Sequence, residues 1–267
     1  MRKTILAFFI LCFNIASAQE LFVFTEPASN MAARSIGIRM NTMFMKNVHM
    51  DRNEVFVIPE IMWGVSRNIM IHADVFFNND DKNFKAKGAS LYLKYRFLSK
   101  DDIHNHFRLA AFGRYSKNNG FIHDGSIDMY KTNTGYEGGL IATKLINRVA
   151  ISASSSYVHA FDNGKYSLGD DFRNAVNYSL SLGTLLFPKE YTSYDQPNLN
   201  FMIEMLGQNT LGNNKQYFLD LAPSLQLILK SRMRIDVGYR FQVIDKIYRA
   251  MPKTVLVRFE YNLFNVY

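Results

Sequence analysis

The chain has one cysteine, one tryptophan and six prolines in 267 residues, and beyond its N-terminus it has no apolar run of 18 residues. A membrane-spanning helix needs about 20 consecutive apolar residues, so no such helix is predicted after the N-terminus. The first residues have a different pattern. Arg2 and Lys3 precede an apolar run at 5–13, and Ala16-Ser17-Ala18 supplies small residues before Gln19. This is the order of a secretory signal peptide, predicted over 1–18, and the run is too short to span a bilayer. Cys12 lies inside it, with Leu11 where a lipoprotein site wants a small residue. Removal of 1–18 therefore leaves no thiol, which excludes a disulfide framework and thiolate chemistry. The charge of +8 and the pI of 9.4 do not point to nucleic acid, because the basic residues are scattered and no run of five Lys or Arg occurs.

Aromatics, in contrast, are abundant. Phe (22) and Tyr (15) dominate a 14% aromatic content, yet mean hydropathy is only −0.12. Many aromatics at moderate hydropathy fit strands with one apolar and one polar face. The end of the chain shows this best. Val255, Val257, Phe259, Tyr261 and Leu263 alternate with Leu256, Arg258, Glu260 and Asn262. A period of two separates these sets onto the two faces of a strand, which helical periodicity does not. Similar alternation marks Ile235–Phe241, Leu219–Leu229, Leu199–Met205, Val176–Leu182, Val149–Tyr157, Leu91–Phe97 and Ile69–Phe77, and more weakly 35–45, 54–65, 106–116 and 133–145.

The segments predict an all-β fold, a transmembrane antiparallel up-and-down β-barrel of about twelve strands within a range of ten to fourteen. The alternation runs longer than the roughly 5–6 residues of an average soluble strand. It approaches the roughly 9–11 residues that cross a bilayer at a tilt near 45°. A β-sandwich or lipocalin-like barrel would alternate too, with its apolar face inward. Connections at 65–68, 146–148 and 230–232 are tight, and those at 117–132 and 161–173 are long and polar, as expected of short turns at one end and loops at the other. On the turn side, 99–105 and 188–197 are expected as longer connections. The division is then 1–18 signal peptide, 19–33 periplasmic leader or lumen plug, and 34–267 barrel.

If the apolar parity faces lipid, the other parity lines the lumen. That set comprises Glu60, Asp74, Glu137, Glu204, Asp220, Asp236 and Glu260 with Lys94, Arg96, Arg108, Arg114, Arg234, Arg240 and Arg258. Acids and bases balance, and Arg234, Asp236 and Arg240 are expected to meet Arg258 and Glu260 across strands. Eight strands leave a bore filled by side chains and about sixteen leave a channel. Twelve lies between, so a narrow pore for small polar or amphipathic solutes and a salt-bridged, filled lumen both stay open.

Two other chemistries were weighed. Ser155, His159 and Asp162 are the one local grouping with the residue types of a rim hydrolase, but no G-x-S-x-G or H-E-x-x-H motif accompanies them. Methionines concentrate between Met31 and Met70, and Met43, Met45 and Met50 beside His49 are soft ligands of the kind that suit Cu(I). Met40 and Met43 fall on opposite faces of one strand, so these residues are expected as lipid-facing or loop filler. No metal, cofactor or catalytic residue is predicted.

The stretches Phe24-Thr25-Glu26-Pro27-Ala28-Ser29-Asn30-Met31, Pro59-Glu60-Ile61-Met62-Trp63-Gly64-Val65-Ser66 and Gly88-Ala89-Ser90-Leu91-Tyr92 resemble an uncharacterised family of bacterial outer-membrane β-barrel proteins. More loosely, the Phe24-Thr25-Glu26-Pro27 leader is similar to that of outer-membrane transporters linked to phenol degradation. The final strand, with Tyr267 on its apolar parity, resembles the C-terminal strand that barrel-assembly machinery reads. The resemblance implies a barrel in the outer membrane of a two-membrane bacterium, with outer-membrane lipids and assembly machinery as partners. It implies no substrate.

Overall fold

The computed structural model describes residues 22–80, 83–102, 105–122, 124–163, 173–188, 193, 195–213 and 215–267. The expected signal peptide and residues 19–21 lie outside the described residues. Twelve strands follow: β1 (Ser35–Asn47), β2 (Arg52–Gly64), β3 (Ile69–Asn78), β4 (Lys85–Asp102), β5 (Asn105–Asn118), β6 (Thr134–Ile146), β7 (Val149–Phe161), β8 (Asn174–Phe187), β9 (Asn198–Thr210), β10 (Tyr217–Leu229), β11 (Met233–Asp245) and β12 (Lys253–Leu263). Each pairs antiparallel with its sequence neighbours, and β1 pairs with β12 to close the barrel. Closure leaves no sheet edge with unpaired backbone groups.

Alternation decides which side chain faces where. Along β12, Val255, Val257, Phe259 and Leu263 are exposed, whereas Thr254, Leu256, Arg258 and Glu260 are buried. The same division runs around the barrel, with Ile38, Met40, Leu91, Leu93, Tyr95, Leu140, Tyr157, Leu180, Val237 and Tyr239 on the exterior. A soluble barrel would hide these side chains and expose the charges. Here the charges are inside.

Turn lengths separate the two ends. Asn147-Arg148 and Lys230-Ser231-Arg232 close hairpins at the end where β1 starts and β12 stops, and Asn147, Lys230 and Ser231 take positive φ there. The longer connections β5–β6, β7–β8 and β11–β12 belong to the other end, with the ten-residue β8–β9 connection the exception at the short-turn end. The connection expected at 99–105 is mostly strand. β4 and β5 pair out to Asp102 and Asn105, and Arg108 donates to Asp101 Oδ1 at 2.8 Å. Alternating polar residues beyond the apolar band conceal this extension from a hydropathy pattern.

The interior is occupied. Residues 22–33 run inside the barrel, entering beside Gly64, where a Cβ would collide with the Ala32 carbonyl. Phe22 and Val23 pack with Met43, Met45, Phe56, Ile58, Phe76, Met202, Met251 and Leu256 in an apolar cluster. The inward face is therefore less uniformly polar than the alternation suggested. Leu256, expected on a polar face, is 1% exposed in this cluster. Full burial of a side chain of that size contributes about 1.5–3 kcal/mol.

From the loop end, residues 119–133 and 246–252 fold inward. Ile127 and Gln208 exchange two hydrogen bonds of 2.8 Å, and the Ala250 N–H donates to Asp124 Oδ1 at 2.6 Å.

Candidate functional site

The polar interior centres on Arg39 in β1. Its Nε lies 2.8 Å from Glu260 Oε2, and its Nη1 lies 3.0 Å from Glu26 Oε1 and 3.2 Å from Glu60 Oε2. Strand register produces this contact, because Arg39 stands directly opposite Glu60 on β2 and Glu260 on β12. Glu26 reaches it from the inner segment. His72 Nδ1 lies 2.5 Å from Glu60 Oε1. Arg39 and Glu26 were absent from the lumen set read in the sequence. The signal for Arg39 was its place between Ile38 and Met40, both exposed on the exterior.

On the neighbouring strands, Arg234 Nη2 meets Glu260 Oε2 at 2.9 Å, and Arg258 Nη1 meets Asp236 Oδ2 at 3.5 Å. Arg240 departs from expectation. It pairs with Asp220 on β10 at 2.7 Å rather than with β12, where its register partner is Thr254. Arg249, arriving from the 246–252 loop, holds both Asp220 oxygens at 2.7 Å and stacks 4.1 Å over Phe218.

Side chains of the wall hold the inner segment. Glu204 accepts hydrogen bonds from the Val23 N–H (2.9 Å), the Phe24 N–H (2.8 Å) and Thr25 Oγ1 (2.7 Å). Lys94 Nζ donates to the Pro27 and Ser29 carbonyls at 2.7 and 2.8 Å, and Arg258 Nη2 donates to the Val23 carbonyl at 2.5 Å. Residues 22–33 therefore dock through side chains of the wall and do not add a strand to the sheet.

Arg96 and Arg108 sit nearer the turn end. Arg96 Nη2 donates to the Arg67 carbonyl at 2.7 Å, and Arg108 joins Asp101 to Ser29. Asp74 accepts from Ser90 Oγ at 2.5 Å and lies 3.8 Å from Arg114 Nη1. Glu137 accepts from Ser156 Oγ at 2.5 Å and Asn177 Nδ2 at 3.1 Å.

Between the inner segment and the infolded loops lies a cavity of about 290 Å³. Glu60, Arg114, Glu137, Asp220, Arg240 and Arg258, from the set read in the sequence, line it together with Arg39, Tyr92, Phe112 and Tyr130. Ionised groups and rings share one space there, a setting that holds a small solute by charge and by stacking.

The other two groupings do not converge. Met43 and Met45 are buried in the interior, Met50 is exposed, and His49 stacks on Tyr248 at 4.7 Å. Lipid-facing or loop filler was expected of this cluster, and Met50 lies in the turn between β1 and β2. Met43 and Met45 instead pack the inner segment, because they share the parity of Arg39 and Asn41. His159 stands among Tyr136, Tyr157 and Phe161 near the loop end of the exterior, its Nδ1 2.7 Å from Asn174 Oδ1. Asp162 pairs with Arg173. Among the described contacts, nothing joins Ser155, His159 and Asp162 as nucleophile, base and orienting acid.

No family model matches the chain, and no curated protein does. Solved structures do. The NanC porin is 10% identical with a TM-score of 0.51, covering 86% of this chain and 98% of its own. An outer membrane channel from Pseudomonas putida F1 is 7% identical with a TM-score of 0.55, covering 91% of this chain and all of its own. The shared feature is the outer-membrane, porin-like β-barrel fold.

Proposed function

We propose that the protein is a narrow outer-membrane channel for small polar or amphipathic solutes, closed in this conformation by residues 22–33. The observation that carries the reading is the charged and aromatic cavity of about 290 Å³ enclosed between that segment and the infolded loops. The exposed apolar exterior suits outer-membrane lipids, and the C-terminal strand suits delivery by barrel-assembly machinery. Docking of 22–33 through Glu204, Lys94 and Arg258 allows the segment to leave without breaking the sheet.

Planar-bilayer conductance tests the proposal. The unaltered protein is expected to conduct rarely, and Glu204→Ala, which removes three anchors of the segment, is expected to conduct far more often. Silence from both would refute the channel. One observation favours a second reading, a braced structural lumen: Arg39 contacts three carboxylates on two strands and the inner segment. Under that reading Glu204→Ala loses thermal stability and gains no conductance.

A further inference from the structure

The arginines lining the cavity are not equivalent. Arg39 contacts Glu26, Glu60 and Glu260, Arg240 and Arg249 share Asp220, and Arg258 is bound by Asn41, Asp236 and the Val23 carbonyl. Arg114 is different. Its nearest carboxylate oxygen among the described residues is Asp74 Oδ2 at 3.8 Å, beyond hydrogen-bonding distance, and its Nη1 has no hydrogen-bond partner there. Its guanidinium lies over two rings, 4.8 Å from the Tyr130 centroid and 5.1 Å from that of Tyr92. The Tyr92 hydroxyl is likewise without a partner among the described residues.

A guanidinium that meets rings through its face keeps its edge for recognition, and that edge matches the two oxygens of a carboxylate. Leaving such a cation buried without a direct partner is costly unless a ligand supplies one. Beside it the wall is apolar. The Phe112 ring lies 5.5 Å from that of Tyr92 and packs on Ile141. The cavity equals about ten waters at roughly 30 Å³ each, room for a ring bearing one charged group. Asp74 lies 3.8 Å from Arg114 and Glu137 lines the same cavity, so a second negative charge on the solute would be disfavoured.

We infer that the cavity takes a small monocarboxylate with an aromatic body, its carboxylate on Arg114 and its ring against Phe112. The inference rests on the channel reading for its biological setting but has its own test. Benzoate is titrated into the full-length protein in detergent by isothermal calorimetry, with benzamide as the neutral isostere and acetate as the ringless anion. Benzoate should bind at least about tenfold more tightly than either, the size expected for one charge-assisted hydrogen bond or one buried ring. Arg114→Gln should remove the preference for benzoate over benzamide. Equal binding of benzoate and benzamide to the unaltered protein would overturn the inference, a comparison that stands even if the variant fails to fold. Conductance insensitive to benzoate, in a protein that does not bind it, would refute this site and leave the channel reading intact. Tight benzoate binding by a protein that never conducts would do the opposite.

Discussion

Replacing Glu204 with alanine tests whether residues 22–33 are a movable plug or a fixed part of the fold. The carboxylate accepts from Val23 N, Phe24 N and Thr25 Oγ1, at 2.9, 2.8 and 2.7 Å. Alanine leaves all three donors without that partner. A buried donor left unsatisfied costs about 1–3 kcal/mol, and the low end applies if water enters the space vacated. Three such losses give about 3 kcal/mol against the docked state, or roughly a hundredfold in the docking equilibrium. The assay is maleimide labelling of Ala28→Cys. Ala28 is fully buried against Ala110 and Ile141, with its N–H on Thr143 Oγ1 at 2.9 Å. A cysteine there reacts only when the segment leaves. Adding Glu204→Ala should raise the labelling rate by one to two orders of magnitude, with the barrel still migrating as folded in unheated gels. A labelling rate unchanged while the melting temperature falls would refute the movable plug.

Two further outcomes follow from the placement of side chains. Val257→Arg, mid-strand on the apolar exterior, should impair assembly by about 2–4 kcal/mol, and Leu256→Ala, which opens the apolar cluster inside, should cost about 2–5 kcal/mol of stability. A Leu256→Ala variant as stable as the unaltered protein would contradict its place in that cluster. The 119–133 loop should loosen in acid. Burial raises the pKa of the Asp128 carboxyl, but the Lys131 ammonium, the Arg240 charge and the Tyr130 N–H outweigh it and hold it below the ordinary carboxylate range. A depressed acid contributes stability above its unfolded pKa of about 3.9, lost as pH falls through the folded value. Protection of the Tyr130 N–H, which donates to Asp128 Oδ1, against hydrogen exchange (relative to its intrinsic rate at each pH) should therefore fall below about pH 4, and Asp128→Asn should flatten the profile. A profile identical in both proteins would remove Asp128 from the loop's anchorage.

Strands whose two faces differ in chemistry were legible in the sequence. In β11 and β12, Val237, Tyr239, Val255 and Val257 oppose Asp236, Arg240, Arg258 and Glu260, and the pleat alone assigns their sides. β1 and β2 read weakly for a physical reason. Met43, Met45, Phe56 and Ile58 turn inward to pack Phe22 and Val23, so both faces of these strands are apolar where the inner segment touches them. That partner is remote in sequence, as Val23 binds Glu204 across 181 positions, and no local pattern records it. The choice among ion pairs was hidden likewise. Asp220 engages Arg240 diagonally and also takes Arg249 from a loop that carries no periodicity at all.

The inner segment brings one carboxylate into the described lumen, that of Glu26, and sets it between Arg39 and Lys94, 3.0 and 3.5 Å away. Withdrawal of the segment would also free Lys94 from the Pro27 and Ser29 carbonyls and Arg258 from the Val23 carbonyl. The wall then loses the Glu26 charge and uncovers three cations and the Glu204 carboxylate; Arg39 keeps Glu60 and Glu260 and Arg258 keeps Asp236, whereas Lys94 loses every partner described here. In a low-dielectric bore an unpaired ammonium attracts an anion strongly, far more than on an open surface. On the channel reading, Glu26 is the counter-ion of the closed state, and a passing carboxylate would take over that role at Lys94 once the segment has left. On that reading closure and anion preference both draw on Lys94, which is why a neutral inventory of lumen charges understates the field that a solute would meet.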